Sequence, residues 1–315
     1  MIVAVVGPTA GSKSTLALDL AQSLDIPQFR ARFPGGVEVV NADAFGLYRG
    51  MDIGTAKLPF AERRGIAHHQ LDQLWPDEDA SVAAYQRHAR ADVEAIWARG
   101  ALPLVVGGSG LYVRALLDRL EFPPTDPEVR LRWQERLDAE GAPALHALLR
   151  ERDPAAAQAI NPENGRRLVR ALEAIEITGQ PFSATLPDGT YYYPDTVQFY
   201  LTRPLAVLDE RIAQRSSQMF AAGLLAETQA LLSDRVHPWG VTAQKATGYA
   251  QAKAVLEGEM TLEEAIDATA QATRQLARRQ IKWFRRDERA VKIEISSGEE
   301  VRMFLDQARH QILGD

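Results

Sequence analysis

Five apolar residues, Ile2-Val-Ala-Val-Val6, run directly into Gly7-Pro-Thr-Ala-Gly-Ser-Lys13-Ser14, and Leu16, Leu20 and Leu24 then recur at helical spacing. Strand, glycine-bearing turn and helix, in that order, open an α/β nucleotide-binding unit. The turn nearly matches the pattern G-x-x-x-x-G-K-[ST], the P-loop. Its successive backbone N–H groups converge on one concavity at a helix N-terminus, where the macrodipole also favours an anion. Lys13 is expected to reach a phosphate oxygen and the Ser14 hydroxyl to ligate Mg²⁺. The usual glycine before the lysine is displaced by one place, giving Gly11-Ser12. If that backbone is left-handed, a serine there costs about 1–2 kcal/mol. A tight βα turn carrying a surface lysine is the plainer alternative, and alone the motif specifies a phosphate ligand and no more.

Val37–Val40 reads as a second strand ending at Asn41-Ala-Asp43, residues 81–98 as a helix closed by Gly100, and Leu102–Val106 as a third strand. Apolar strands alternating with helices predict a parallel sheet covered on both faces. A P-loop NTPase ordinarily ends such a strand in an Asp that organises Mg²⁺. Here the third strand ends Val106-Gly107-Gly108-Ser109, which suits close approach to an anionic or polar group rather than activation of water. Past Leu120, Phe122-Pro-Pro-Thr-Asp-Pro127 breaks the pattern, and nothing strand-like returns before Phe199-Tyr-Leu201. Asp126-Pro127 and Asp153-Pro154 each read as an N-cap followed by proline at the first helical position. Leu168, Leu172 and Ile175 form a helical stripe that stops at Gly179. Residues 181–194 read as a polar, tyrosine-bearing connector, and after Leu201 helical patterns dominate to the end. The predicted fold is therefore α/β: a P-loop core with a parallel sheet over 1–121 and 194–315, the latter carrying C-terminal helices, and a helical insertion domain over 122–193.

The composition narrows the setting. No apolar run approaches the roughly 20 residues that span a bilayer, and no basic leader precedes Ile2, so no membrane or secretory role is expected. Cysteine is absent, which excludes disulfides and thiolate metal sites and fits the cytoplasm. Nothing demands more than a monomer. The net charge of −6 means that any polyanion site must come from local clusters. One stands out: Arg274, Arg278, Arg279, Lys282, Arg285, Arg286 and Arg289 face only Asp287 and Glu288 in the same stretch. On a helix, Arg274, Arg278, Lys282 and Arg285 share a face able to track a phosphate backbone, with Trp283 and Phe284 packing behind it or stacking on bases. Arg166, Arg167 and Arg170, with Arg130, form a second basic group on the insertion. Their plainer reading is ion pairing between helices.

Several separated motifs then coincide. The P-loop is followed by Asp43 at a strand end, Tyr48-Arg-Gly-Met-Asp-Ile-Gly-Thr-Ala-Lys57, His68-His69, Val106-Gly-Gly-Ser-Gly-Leu-Tyr112, Arg170–Glu173, Gly248-Tyr249 and Thr273-Arg-Gln-Leu-Ala-Arg-Arg-Gln-Ile-Lys-Trp-Phe-Arg285. In this order, and over nearly the whole chain, they resemble the tRNA dimethylallyltransferase family. The chain departs from the family at Gly11-Ser12 for Ser-Gly, Ala44 for Ser, Asn164 for Asp and Ser109 for Thr.

The resemblance implies transfer of a dimethylallyl group from dimethylallyl diphosphate to the exocyclic amine of the adenosine 3′ of the tRNA anticodon, with Mg²⁺. It makes Asp43 the general base, with Ser109 and Lys13 assisting. The diphosphate would lie on Gly7, Thr9, Ala10, Gly11, Ser12, Lys13, Ser14 and Thr15, together with Arg215. The tRNA anticodon stem-loop would be met by Asp43, Ala44, Phe45, Gly46, Ser109, Lys245, Gly248, Tyr249 and Gln280. Arg130, Arg166, Arg167, Arg170, Arg274, Arg278, Arg279, Lys282, Trp283 and Arg285 complete that set. Extruding a stacked base demands such contacts around the pocket mouth. Residues 102–106 and their neighbours are expected to shield the prenyl chain from water. His68-His69 has no carboxylate or cysteine at metal spacing, so both read as structural. Two other readings use the same residues. A P-loop kinase needs ATP but not the basic stripe, and a non-catalytic RNA-binding switch needs the stripe but not Asp43.

Overall fold

Every residue of Ile2–Val6 is inaccessible to solvent, as a central strand of a parallel sheet requires. In this computed structural model, which describes residues 1–185 and 189–314, that strand (β1) lies at the middle of six. The others are β2 (Gly36–Asn41), β3 (His68–His69), β4 (Ala101–Gly107), β5 (Thr196–Thr202) and β6 (Val291–Glu294). Their spatial order is β3-β2-β4-β1-β5-β6, and every pairing is parallel. The alternation of β1 sends Val3 and Val5 to a face shared with Leu102, Leu104, Phe199 and Leu201. Two helices cover that face: α1 (Lys13–Ser23) through Leu16 and Leu20, and the last helix of the chain, Gly298–Leu313, through Phe304 and Ile312. A short helix, α2 (Pro27–Arg32), adds Phe29 to the same core. The other face carries α3 (Val82–Ala98), N-capped by Ser81, and α4 (Gly110–Leu117).

The chain divides into two compact units, Met1–Leu117 with Tyr193–Asp315, and Asp118–Tyr192. The division falls at 118 and 192 rather than at 122 and 193. Asp118 bridges Tyr191, and the Arg119 N–H donates to the Thr190 carbonyl at 3.1 Å, which draws the connecting segments into the second unit. That unit is helical: α5 (Pro127–Glu140), α6 (Ala142–Arg152), α7 (Pro154–Ala159) and α8 (Gly165–Thr178). Asp126 and Asp153 cap α5 and α7 ahead of their prolines, Asn164 caps α8 through its side-chain oxygen, and Gly179 ends α8 in the left-handed region. Asparagine caps as well as aspartate does, so the departure at Asn164 is neutral here. Trp133, Leu145, Leu149, Leu168 and Leu172 form the core of this unit. Residues 186–188 of the expected connector lie outside the described residues.

After β5, the first unit continues through α9 (Leu205–Ala221), α10 (Leu224–Ser233), α11 (Tyr249–Leu256) and α12 (Leu262–Phe284), and ends in α13, the Gly298–Leu313 helix. Helices dominate after Leu201 as expected, with one short strand among them, β6, whose Val291–Glu294 pairs with Phe199–Thr202. His68-His69 is also a strand, at the far edge of the sheet.

Candidate active site

The P-loop leaves β1 through Gly7, whose φ of 151° and 2.1 Å clearance between a hypothetical Cβ and the Leu201 carbonyl oxygen leave room for no side chain. The left-handed positions of the loop are Ala10 (φ 59°) and Ser12 (φ 68°), while Gly11 is not left-handed. The displaced glycine thus leaves a serine where glycine would be unstrained. The Ser12 hydroxyl accepts hydrogen bonds from Arg211 Nη2 at 2.8 Å and Arg203 Nη2 at 3.1 Å, and Arg211 Nε donates to the Ala10 carbonyl at 3.0 Å. Two guanidiniums brace the loop from outside.

Lys13 opens α1 and folds back to donate to the Pro8 carbonyl at 2.7 Å. Burial pushes its ammonium down to about 8, Asp43 opposes that, and Arg215 adds to it. Arg215, on α9, sits 3.4 Å from the Thr9 hydroxyl and is likewise pushed down by burial, with Asp43 opposing. Asp43 follows β2. Its Oδ1 accepts from the Phe45 N–H at 3.2 Å, the self-bonded geometry of a turn aspartate, and Asn41 Nδ2 donates to its backbone carbonyl at 3.1 Å. Asn41 Nδ2 also reaches the Gln70 carbonyl at 3.0 Å, and Ser109 Oγ accepts from the Ala44 N–H at 3.1 Å. The ends of β2 and β4 are therefore tied together around Asp43.

These groups surround a cavity of about 410 Å³ lined by Thr9, Ala10, Ser12, Lys13, Ser14, Thr15, Asp43, Gly46, Thr55, Arg211 and Arg215, among others. Among the described residues that line it, Asp43 is the sole carboxylate, against Lys13, Lys57, Arg211 and Arg215. Lys57 is already paired with Asp52 and Asp72, each at 2.6 Å, but the other cations favour an anion. A second cavity of about 80 Å³ shares Thr9, Asp43, Thr55 and Arg215 with the first and is completed by Phe45, Gly54, Met219, Ala246, Thr269, Thr273 and Gln280, among others. Asp43 stands in the wall of both. Of the apolar run 102–106, only Val106 lines the larger cavity. Leu102 and Leu104 belong to the sheet core, and Leu18, Val39, Leu58 and Leu71 supply the apolar lining instead.

Several expected contact residues have internal work. Gln280 is buried on α12, where its oxygen accepts from the Thr9 N–H at 2.8 Å and its amide donates to the Gly108 carbonyl at 2.9 Å. It ties the P-loop to the end of β4, a role the RNA-facing expectation missed. Tyr249 is fully buried with its hydroxyl on Glu227 at 2.5 Å, so its side chain supports the site rather than facing RNA. Arg278 is paired bidentately with Asp209 of α9 at 2.7 and 2.8 Å. Arg279, Lys282 and Trp283 are exposed on α12, as are Arg285 just past its end and Lys245, whereas Arg274 is half-buried. In the second unit, Arg130 and Arg170 each lie 2.9 Å from the fully buried Glu173 carboxylate. Arg166 and Arg167 are both exposed there. His69 binds Glu38 at 2.6 Å, and His68 donates from Nδ1 to the Ile66 carbonyl at 2.9 Å while also lining the larger cavity. Sequence reasoning did not find Arg203, Arg211, Thr55 or Glu227. Only the helical phase of Arg211 with Arg215 hinted at one of them.

The model of the IPP transferase family matches residues 46–287. The chain belongs to this family. It is 55% identical over 288 residues to the tRNA dimethylallyltransferase of Nocardia farcinica, covering 91% of this chain and 88% of that one. Identity to the tRNA dimethylallyltransferase of Kineococcus radiotolerans is 56%, over 91% of this chain and 89% of the relative. Among solved structures, the full-length tRNA isopentenylpyrophosphate transferase of Bacillus halodurans superposes with a TM-score of 0.68 at 35% identity, over 99% of this chain and 96% of that one. The fold is thus shared with that enzyme over nearly the whole chain.

Proposed function

We propose that this IPP transferase moves the dimethylallyl group of dimethylallyl diphosphate to the exocyclic amine of the adenosine immediately 3′ of the anticodon in tRNA. The observation that carries this reading is the placement of Asp43 in the shared wall of two cavities, one built on a phosphate-binding loop. The diphosphate lies on the loop amides, Lys13 and Arg215. Their charge neutralises the negative charge that builds on the departing oxygen as the bond to the allylic carbon breaks. The adenine is presented from the smaller cavity, whose walls include Ala246, Thr273 and Gln280, in the segments that carry Lys245 and the outer cations of α12. Met219, an adaptable thioether in the same wall, is the side chain best suited to give way to a base. As the amine nitrogen bonds to that carbon, Asp43 accepts its proton and diphosphate leaves.

Mg²⁺ fits the larger cavity through the Ser14 hydroxyl and the oxygens of the substrate, since this ion ordinarily takes few protein ligands beside phosphates and water. Bound there, it adds to the neutralisation of the leaving group. Arg166 and Arg167 of the helical unit, together with Arg279, Lys282 and Arg285, are assigned to the RNA backbone. The enzyme works as a monomer in the cytoplasm.

The test is to incubate the purified chain with unmodified tRNA, dimethylallyl diphosphate and Mg²⁺ and to analyse the nucleosides by mass. A prenyl increment on the adenosine beside the anticodon is expected. Asp43→Asn is expected to lose about 10²–10⁴-fold in rate while retaining tRNA affinity. ADP production from ATP with unaltered tRNA points to a kinase instead, and tRNA binding with neither product points to a non-catalytic switch.

A further inference from the structure

Glu227 lies in the first turn of α10, shortly after Gly223, and belongs to none of the motifs above. Its carboxylate nevertheless accepts from three consecutive backbone N–H groups: Asp52 at 3.0 Å, Ile53 at 2.9 Å and Gly54 at 3.2 Å. A fourth donor, the Tyr249 hydroxyl, arrives at 2.5 Å from the first residue of α11. Burial, and then Glu227 itself, push the Tyr249 hydroxyl upward, so it remains a donor across the working pH range. The ring of Tyr249 closes on Gly54 so tightly that a Cβ there would stand 2.3 Å from it. One carboxylate therefore fastens three separate segments: residues 52–54, the start of α10 and the start of α11.

The fastened loop continues directly into the substrate cavities. Gly54 lines the smaller cavity, and Thr55 lines both, with its hydroxyl turned back onto the Met51 carbonyl at 2.6 Å. The far end of the loop is anchored independently by Lys57, which donates to the Tyr48 carbonyl at 2.7 Å and pairs with Asp52 and Asp72. At the end nearer the acceptor side, Glu227 is the charged group that gathers the N–H groups of the loop. Three aligned N–H donors need an acceptor there, and a carboxylate supplies both oxygens as acceptors.

We propose that Glu227 is a positioning residue for the transfer reaction, setting the wall against which the acceptor base is placed beside Asp43. The inference rests on the assignment of the smaller cavity to the base. Glu227→Gln keeps the shape but turns one oxygen into an NH₂ that faces backbone N–H donors, so the loop can no longer be gripped by both oxygens. The expected result is a rise of about tenfold in KM for tRNA, with KM for dimethylallyl diphosphate within about twofold of the parent, since charged hydrogen bonds of this kind are among the stronger ones. A purely structural role would lower the active fraction, and hence kcat alone, leaving both KM values where they were. Tyr249→Phe keeps the ring on Gly54 and deletes only the hydroxyl. It should raise KM for tRNA by about threefold with the same selectivity. An unchanged KM for tRNA in both variants, or equal rises for both substrates, overturns the inference. The parent enzyme is measured in the same assay: absence of prenyl transfer there sinks the functional reading itself, whereas normal parent turnover with unaffected variants sinks only the role of Glu227.

Discussion

Ser12 holds a left-handed backbone that glycine adopts freely, and it accepts from Arg211 and Arg203 through a hydroxyl that glycine lacks. The left-handed conformation costs about 1–2 kcal/mol, and the charged donors return a comparable amount. Ser12→Gly should therefore leave urea stability within about 1 kcal/mol of the parent, while Ser12→Ala, which keeps the strain and loses the bonds, should lie about 1–2 kcal/mol below Ser12→Gly. Equal stabilities for the two variants would show that the loop stores no strain. Lys13 carries a pH signature. With its folded pKa near 8 and its ordinary value at 10.5, the folded chain releases its proton first, so the stability penalty of this group is full below about 8 and fades as pH rises between those values. Binding runs the other way, because the diphosphate needs the ammonium. kcat/KM for dimethylallyl diphosphate should fall above about pH 8, whereas kcat, measured with the anion bound and the ammonium stabilised, should not show that limb. The placement of Lys13 and Asp43 was legible because the motif fixes each against a strand end. The bracing of Ser12 was not, because its partners lie at the exit of β5 and on α9, far along the chain.

At the level of elements, α12 has two sides with different tasks. Its inner side buries Ala277, Gln280 and Phe284 and holds the P-loop through Gln280, and its outer side carries Arg279 and Lys282 and leads to Arg285 at its C-terminus. Helical spacing alone placed a basic stripe on this helix. It could not show that Arg278 is committed to Asp209, a partner in α9, or that Gln280 points inward, since both depend on which neighbour each side meets. Lys282→Ala combined with Arg285→Ala should weaken tRNA binding and reduce the slope of log affinity against log salt by about 1.4, roughly 0.7 for each phosphate no longer neutralised. An unchanged slope would remove the stripe from the interface. Strands β3 and β6 were not legible for a different reason. They are short edge strands whose few residues, His68-His69 and Val291–Glu294, mix polar with apolar and show no run. Long buried strands announce themselves, and short edge strands do not.

Across the whole molecule, the change from alternating strands to capped helices after Leu120 was readable from proline and aspartate punctuation, but the unit boundaries were not, because the pairing of Asp118 with Tyr191 joins distant residues. Within the helical unit, Glu173 is fully buried between Arg130 and Arg170, whose side chains reach solvent. Removing both arginines strands a carboxylate, so Arg130→Ala with Arg170→Ala should cost about 3–5 kcal/mol. Glu173→Gln, which leaves arginines that water can reach, should cost less. Hydrogen exchange of the α5–α8 amides would separate the two cases. Arg166→Ala with Arg167→Ala should reduce tRNA affinity without altering that exchange. If those two substitutions loosen the helices as well, both arginines are structural. The place of β1 also bears on how the chain is made. This first strand is flanked by β4 and by β5, and its register with β5 begins at Ile2 opposite Thr196. A nascent chain on the ribosome must therefore finish the entire helical unit before one edge of its earliest strand finds a neighbour. Until Thr196–Thr202 emerges, that edge has no native neighbour and is an open template for misassociation.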